Sequence, residues 1–176
     1  MAVGALVGLA GGWWLGGGGE ASEPATVTVT ETVPGQEPVL PLPVQETRDA
    51  LLRAAESADY EALRPLVPEK GFSYTFGGEV AGGPLAYWRR LERTTGERPL
   101  DLLAAILRMP YVLAGGIYVW PWAYAVESPE QLSDHGRSLL APIGPLERLF
   151  SPGTGYLGWR AGIYPDGRWA FFVAGD

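Results

Sequence analysis

The stretch YLGWRAGIYPDGRWAFFVA, residues 156–174, places two apolar runs on either side of Pro165-Asp166-Gly167. Asp-Gly is favoured in tight β-hairpin turns, because such turns need positive φ angles that Gly adopts at little cost. The flanking runs have the length and aromatic content of strands. The sequence therefore predicts a C-terminal hairpin formed by 156–164 and 168–174, and with it a domain built on an antiparallel sheet.

Residues 111–125 upstream alternate in the manner of one long strand, with small or branched side chains on one face. The other face carries four aromatic residues: Tyr118, Trp120, Trp122 and Tyr124. Pro121 lacks a backbone N–H and indicates an edge strand or a bulge. Such a row of rings fits a core face or the wall of a pocket for an apolar or carbohydrate-like ligand. Arg160, Glu79 or Glu127 is expected to provide the polar contact in such a pocket.

Helical patterns come before this strand. An amphipathic helix that begins near residue 45 is expected to turn four residues inward: Leu51, Leu52, Ala55 and Ala58. A short helix follows at 60–67, and 72–76 alternates like a strand. Pro84 suits the first position of the next helix. Residues 100–109 are apolar nearly all round, which indicates a helix buried in the core or packed against a second copy of the chain as a homodimer.

After the aromatic strand, Ser128-Pro129-Glu130-Gln131 has the pattern of a capping box and predicts a helix that continues to Leu140. A further short helical turn is expected within 144–150. Together with the hairpin, these elements predict an α+β domain over 45–176, with N-terminal helices packed on a curved, mainly antiparallel sheet.

The order of these elements resembles the NTF2-like superfamily of cone-shaped α+β domains. The residues that carry the resemblance are Leu51-Leu52-Arg53-Ala54-Ala55 and, after them, Ala58-Asp59-Tyr60-Glu61-Ala62-Leu63. The family contains isomerases, dehydratases, binding domains and assembly modules, so the resemblance implies a fold and leaves the function open.

The N-terminus has a different character from the rest of the chain. Residues 1–19 carry no charged side chain, and this apolar, Gly-rich run approaches the length of a membrane span. We interpret it as a signal-anchor, although a cleaved signal peptide, a buried helix and a true start further upstream stay open. Residues 20–44 are rich in Pro, Thr and Glu and indicate an extended linker. Within it, 26–33 alternates Thr and Val and can instead form an edge strand.

Composition excludes several classes of protein. The formal net charge is -7, and the one tight basic cluster, Arg89, Arg90 and Arg93, fits the wet face of a helix, so we expect no nucleic-acid partner. The chain has no Cys and one His, which argues against a zinc site. We expect no metal site and no cofactor, although metal binding by carboxylates alone stays open. The absence of Asn, with a single Lys among thirteen basic residues, is typical of a GC-rich bacterial genome.

Candidate catalytic residues are few. His135, the single histidine, follows Asp134 on the predicted helix, and Glu79 and Glu127 are further possible general bases. Adjacent residues do not by themselves form a triad, because catalytic groups come together from separate segments. We therefore expect a non-enzymatic module, held outside the cytoplasm by residues 1–19, that binds an apolar small molecule or a cell-envelope protein. The alternative is an isomerase- or dehydratase-like enzyme with an aromatic pocket.

Overall fold

A computed structural model describes residues 39–78 and 80–175. They form an α+β fold with the following helices: α1 Leu42–Glu56, α2 Gly83–Thr95, α3 Pro99–Leu107, α4 Asp134–Leu140 and α5 Leu146–Leu149. Short 3₁₀ helices lie at Tyr60–Leu66, Trp122–Ala125, Pro129–Gln131 and Ala141–Ile143. The strands are β1 Val112–Ala114, β2 Ile117–Trp120, β3 Phe150–Ser151, β4 Gly155–Tyr156, β5 Arg160–Ile163 and β6 Trp169–Val173.

The predicted anchor at 1–19 and most of the predicted linker, 20–38, lie outside the described residues. Within the described part, no helix has the length and apolar character that a membrane crossing requires.

The main sheet has the order β1-β2-β5-β6, and all of its neighbouring strands are antiparallel. The C-terminal hairpin is confirmed, although its strands are shorter than expected. Gly167 takes a φ of 87° in its turn, where the N–H of Gly167 donates to the carbonyl of Tyr164 at 2.9 Å. Strands β3 and β4 form a separate small pair.

The prediction of one strand over 111–125 is wrong. Gly115 and Gly116 both have positive φ, 56° and 77°, and turn the chain back between β1 and β2. Two such residues are what a two-residue hairpin turn of this kind requires. The sheet then ends at Trp120, and Trp122–Ala125 continues as a 3₁₀ helix. The alternation of residue types therefore runs across three different local structures.

The core lies between one face of the sheet and the helices. Trp120, Ala161, Ile163, Trp169 and Phe172 belong to it from the sheet, and each is at most 1% exposed. Leu103, Ile106 and Leu107 of α3 are fully buried within the same core. Burial of a Leu or Ile side chain stabilises by about 1.5–3 kcal/mol, so α3 contributes strongly to the free energy of folding. Packing within the chain thus accounts for the apolar character of 100–109.

Helix α1 is fixed to the turn of the C-terminal hairpin. The hydroxyl of Thr47 donates to the carbonyl of Gly167 at 2.6 Å, and a Cβ at Gly167 would lie 2.8 Å from the carbonyl oxygen of Pro43. At the other side, Nε of Arg48 donates to the carbonyl of Leu107 at 2.8 Å. Because α1 begins at Leu42 and Val44 is fully buried, residues 42–44 belong to the folded domain rather than to the linker.

Three local predictions need correction. Ala58 is exposed rather than inward, because it follows the end of α1 with a φ of 54°. The expected strand 72–76 is reduced to one parallel bridge between Ser73 and Phe171. The helix expected from Ser128 is interrupted, and α4 is capped instead by Ser133, whose hydroxyl accepts a hydrogen bond from the N–H of Gly136 at 3.1 Å.

The burial of α3 predicts the effect of truncating its side chains. We expect Leu103→Ala to lower the free energy of unfolding by about 2–5 kcal/mol, because the substitution leaves a cavity in the core. The matched control is Leu42→Ala, at a site that is 66% exposed, where we expect a loss of at most about 0.5 kcal/mol. Urea denaturation of the purified protein measures both. Equal losses in the two variants would contradict this placement of α3.

Candidate functional site

Two exposed aromatic rings flank the guanidinium of Arg160. The guanidinium carbon lies 5.3 Å from the ring centroid of Phe76 and 5.7 Å from that of Tyr124. Phe76 is 56% exposed and Tyr124 is 41% exposed, which is unusual for large apolar side chains of this domain. A cation over an aromatic face is attracted by the quadrupole of the ring, so Arg160 interacts favourably with both rings. We call Phe76, Arg160 and Tyr124 the aromatic–arginine patch.

Three separate segments bring this patch together. Arg160 begins β5, and since side chains alternate along a strand, it lies on the sheet face opposite the core residue Ala161. Tyr124 lies in the 3₁₀ helix that follows β2 and donates its N–H to the carbonyl of Pro121 at 3.1 Å. Phe76 follows the bridge at Ser73, which is hydrogen-bonded to β6 at both its N–H and its carbonyl.

The four rings of the predicted aromatic row do not share one face, because β2 ends before Pro121. Trp120 is 1% exposed and packs against Tyr111 at 5.5 Å, and Tyr118 packs against the same ring at 5.5 Å. Trp122 lies against α4, where a Cβ at Gly136 would be 3.3 Å from its ring. Tyr124 alone of the four reaches the surface as an exposed ring. Of the predicted ligand-binding residues, the structure thus brings together Tyr124 and Arg160.

The predicted acid–base residues are not assembled into one site. His135 and Asp134 are exposed in the first turn of α4, and Glu127 is exposed, with its N–H donating to the side-chain oxygen of Gln131 at 3.1 Å. Glu79 lies outside the described residues. Within the described ranges, no hydrogen bond or ion pair joins His135 to either carboxylate, and no three His, Asp or Glu side chains are grouped as metal ligands.

A groove of about 700 Å³ lies between the segment 67–72 and the segment 80–84 that leads into α2. Phe72 and Tyr74 form part of its lining, and the N–H of Val80 donates to the hydroxyl of Tyr74 at 2.8 Å. Sequence reasoning missed both this groove and the role of Phe76. The alternation of Phe72, Tyr74 and Phe76 was the available signal, but it predicts a strand rather than an exposed ring.

The basic cluster of α2 is largely engaged within the chain. Arg89 donates to Glu61 at 2.7 Å, and Arg90 stacks on Tyr87 at 5.9 Å. Hydrogen bonds from Arg64 and then Arg89 lower the pKa of Glu61 to about 2. Burial, followed by a hydrogen bond to Glu92, raises the pKa of the Tyr60 hydroxyl. These contacts join the 3₁₀ helix at Tyr60–Leu66 to α2.

One buried hydroxyl lies near the patch. Tyr156 donates to the carbonyl of Trp159 at 2.9 Å, and burial raises its pKa. Its proton is therefore held at neutral pH, which fits a structural contact rather than a proton-transfer group.

Comparisons with protein-family models, curated proteins and solved structures found no match to this chain.

The contact between Arg160 and Tyr124 predicts a measurable coupling. In a double-mutant cycle of Arg160→Met and Tyr124→Leu, we expect a coupling free energy of about 0.5–1 kcal/mol, because each substitution removes one partner of the same cation–π contact. Urea denaturation of the four proteins of the cycle gives the value. A second cycle of Arg168→Met with Tyr124→Leu is the control, since Arg168 stacks on Tyr164 at 4.8 Å instead. Similar coupling in both cycles would contradict the contact.

Proposed function

We propose that this protein is a non-enzymatic binding module that holds a partner protein of the cell envelope through the aromatic–arginine patch. The observation that carries the proposal is the pair of exposed rings, Phe76 and Tyr124, on either side of Arg160. Tyr and Arg are enriched among the few residues that dominate the affinity of protein interfaces. Rings that are already fixed before binding lose little conformational entropy when a partner covers them.

The exposure of the rings favours a protein surface over a small molecule. Small-ligand sites are concave and bury most of the ligand, with apolar side chains that line the cavity. Here the two rings are 56% and 41% exposed, so they are accessible to a second surface that packs against them. The predicted rings that would have lined a pocket, Tyr118 and Trp120, are instead packed on Tyr111.

The alternative of an isomerase- or dehydratase-like enzyme finds less support. General acid–base catalysis needs a base within hydrogen-bond reach of a bound substrate. His135 and Asp134 are exposed on α4, and the backbone of Glu127 is engaged by Gln131. In the described part of the chain, neither the imidazole of His135 nor the carboxylates of Asp134 and Glu127 are enclosed in a cavity together with the aromatic–arginine patch.

The proposal includes the membrane anchor and the fold family. The uncharged run 1–19 supports a signal-anchor that holds the domain outside the cytoplasm, with 20–38 as the connecting segment. The N-terminal helices on one face of an antiparallel sheet, closed by a terminal hairpin, support an NTF2-like architecture. That family includes binding domains and assembly modules, which agrees with the proposed role.

We expect the patch to contact the partner directly. A photo-cross-linking phenylalanine in place of Phe76 or Tyr124 should capture the same envelope protein, identified by mass spectrometry. The matched control is the same substitution at Tyr164, which also stacks on an arginine but lies in the turn of the hairpin. Capture of the same protein at Tyr164 with equal yield, or no capture by the folded protein, would overturn the proposal.

The affinity for that captured protein, once purified, gives a second prediction. Phe76→Ala and Tyr124→Ala should each weaken binding by about tenfold or more, because central aromatic residues of an interface contribute about 2 kcal/mol. Tyr164→Ala should change the dissociation constant by less than about twofold. Circular dichroism of each variant shows whether the fold is retained, so that loss of binding is not loss of structure.

The anchor is tested separately. We expect the full chain to sediment with membranes and to resist extraction at high salt, because an apolar span is held by burial rather than by charge. Deletion of residues 2–19 should release the protein to the soluble fraction. Full-length protein in the soluble fraction would contradict the anchor, and an intact mass without the N-terminal segment would show that it is a cleaved signal peptide.

A further inference from the structure

One edge of the main sheet has no strand beside it among the described residues. Strand β1 pairs with β2 on one side, and no other described strand pairs with it. At the opposite edge, the bridge from Ser73 covers part of β6. Free strand edges offer unpaired N–H and carbonyl groups to another strand, so natural proteins shorten, charge or cover them. Strand β1 is short, but it carries no charged residue, and its Leu113 is 40% exposed.

The register shows which groups this edge offers. Ala114 and Ile117 flank the two-residue turn and face each other as a hydrogen-bonded pair, as do Val112 and Val119 two residues away. Leu113 lies between them, opposite Tyr118, and so directs its N–H and carbonyl outward. An added strand therefore finds one donor and one acceptor at Leu113. Its side chains would also cover the apolar surface of Leu113.

The chain contains a segment suited to this edge. Residues 26–33, Thr-Val-Thr-Val-Thr-Glu-Thr-Val, alternate the β-branched residues Thr and Val except at Glu31, and contain neither Pro nor Gly. Val27, Val29 and Val33 share one side of an extended chain with Glu31, and the four Thr residues share the other. The Val side matches the face of Leu113 and Tyr118, since apolar side chains gain most by covering the exposed leucine.

The connection is long enough. The start of α1 contacts Gly167, in the turn between β5 and β6, and the register places this turn at the same end of the sheet as Gly115-Gly116. A strand added beyond β1 lies three strand spacings from β5, about 14 Å. Residues 34–41 reach up to about 26 Å when extended, which covers this distance.

We propose that residues 26–33 add to the outer edge of β1 as a fifth strand of the sheet. Residue 33 is the end closer to α1, so the shortest connection places it near Gly115-Gly116, where β1 also ends. The added strand then runs parallel to β1. This inference rests on the edge and on the segment, and it does not depend on the aromatic–arginine patch.

The added strand would change the distance between the domain and the proposed anchor. Without it, residues 20–41 are a Pro-rich extended spacer of about 70 Å. With it, residues 20–25 remain between the anchor and the sheet, which is about 20 Å. The partner of the module would then be a protein close to the membrane surface.

Paired cysteines test the strand, because the natural chain contains none. In the full chain in detergent micelles, Leu113→Cys is combined in turn with Val27→Cys, Thr28→Cys, Val29→Cys or Thr30→Cys, and a mild oxidant is added. We expect several-fold higher disulfide yield with the Val positions than with the Thr positions. Ala114→Cys, on the opposite face, should reverse this preference in favour of the Thr positions.

The outcomes separate the possible occupants of the edge. Alternation with a period of two residues within one chain supports the proposal. Uniform or absent cross-linking would overturn it, as would cross-links of equal yield to Glu37→Cys in the spacer. Cross-links between two chains, seen as a band of twice the mass, would overturn it in favour of a second copy at the edge.

Hydrogen exchange gives an independent readout without a variant in the sheet. The amide of Leu113 should be protected in the full chain, and Val29→Pro should speed its exchange about tenfold, because proline prevents strand pairing there. The matched control is Gln36→Pro, in the spacer, which should leave the exchange rate unchanged. The amide of Ile163, in the middle of the sheet, should not respond to either variant. Fast exchange at Leu113 in the unaltered chain would overturn the proposal.

Discussion

The fold depends on the packing of aromatic rings around Phe172. Trp159 lies 4.6 Å and Trp88 lies 5.3 Å from its ring centroid, and Trp169 lies 5.8 Å from Trp88. These contacts join β6, α2 and the residue that precedes β5. The buried indole N–H groups of all three Trp residues have no hydrogen-bond partner in the described part of the chain, at a cost of about 1–3 kcal/mol each. Burial of about 150–250 Å² per aromatic side chain contributes about 4–6 kcal/mol, so apolar burial outweighs the unpaired donors.

This core determines where the aromatic–arginine patch can form. Phe72 packs on Trp169 at 4.6 Å, and Ser73 is bonded to β6, so the chain is fixed four residues before Phe76 reaches the surface. Since Ala161 points into the core, its neighbour Arg160 must point to the other face of the sheet. Phe76 and Arg160 therefore extend from segments that are packed on the core or bonded within the sheet, which is the support that a preformed binding surface needs.

The elements predicted best were those with a local determinant. Asp-Gly fixed the terminal hairpin, and Pro84 occupies the first turn of α2 as expected. The prediction of one strand over 111–125 was wrong because a pattern of alternating residue types does not show where the chain reverses direction. Gly115-Gly116 was nevertheless a visible turn signal. Similarly, Ser128 was predicted to start the helix, but α4 begins at Asp134, after Ser133, whose hydroxyl accepts a hydrogen bond from the N–H of Gly136. Tyr124 and Arg160 were predicted as binding residues from their types, but Phe76 joins them through contacts distant in sequence.

The two proposals are compatible because Phe76 and the added strand lie at opposite edges of the sheet. Arg160 begins β5, whereas the turn at Gly167, where α1 starts, follows the other end of β5. Phe76 comes from the chain segment beside β6, and residues 26–33 would lie beyond β1, at the opposite edge. A strand added at β1 therefore leaves the ring of Phe76 uncovered. Because the added strand would run parallel to β1, residue 26 would lie at the end of the sheet where β5 begins. The short segment 20–25 would then place the patch close to the membrane, which agrees with a partner at the membrane surface.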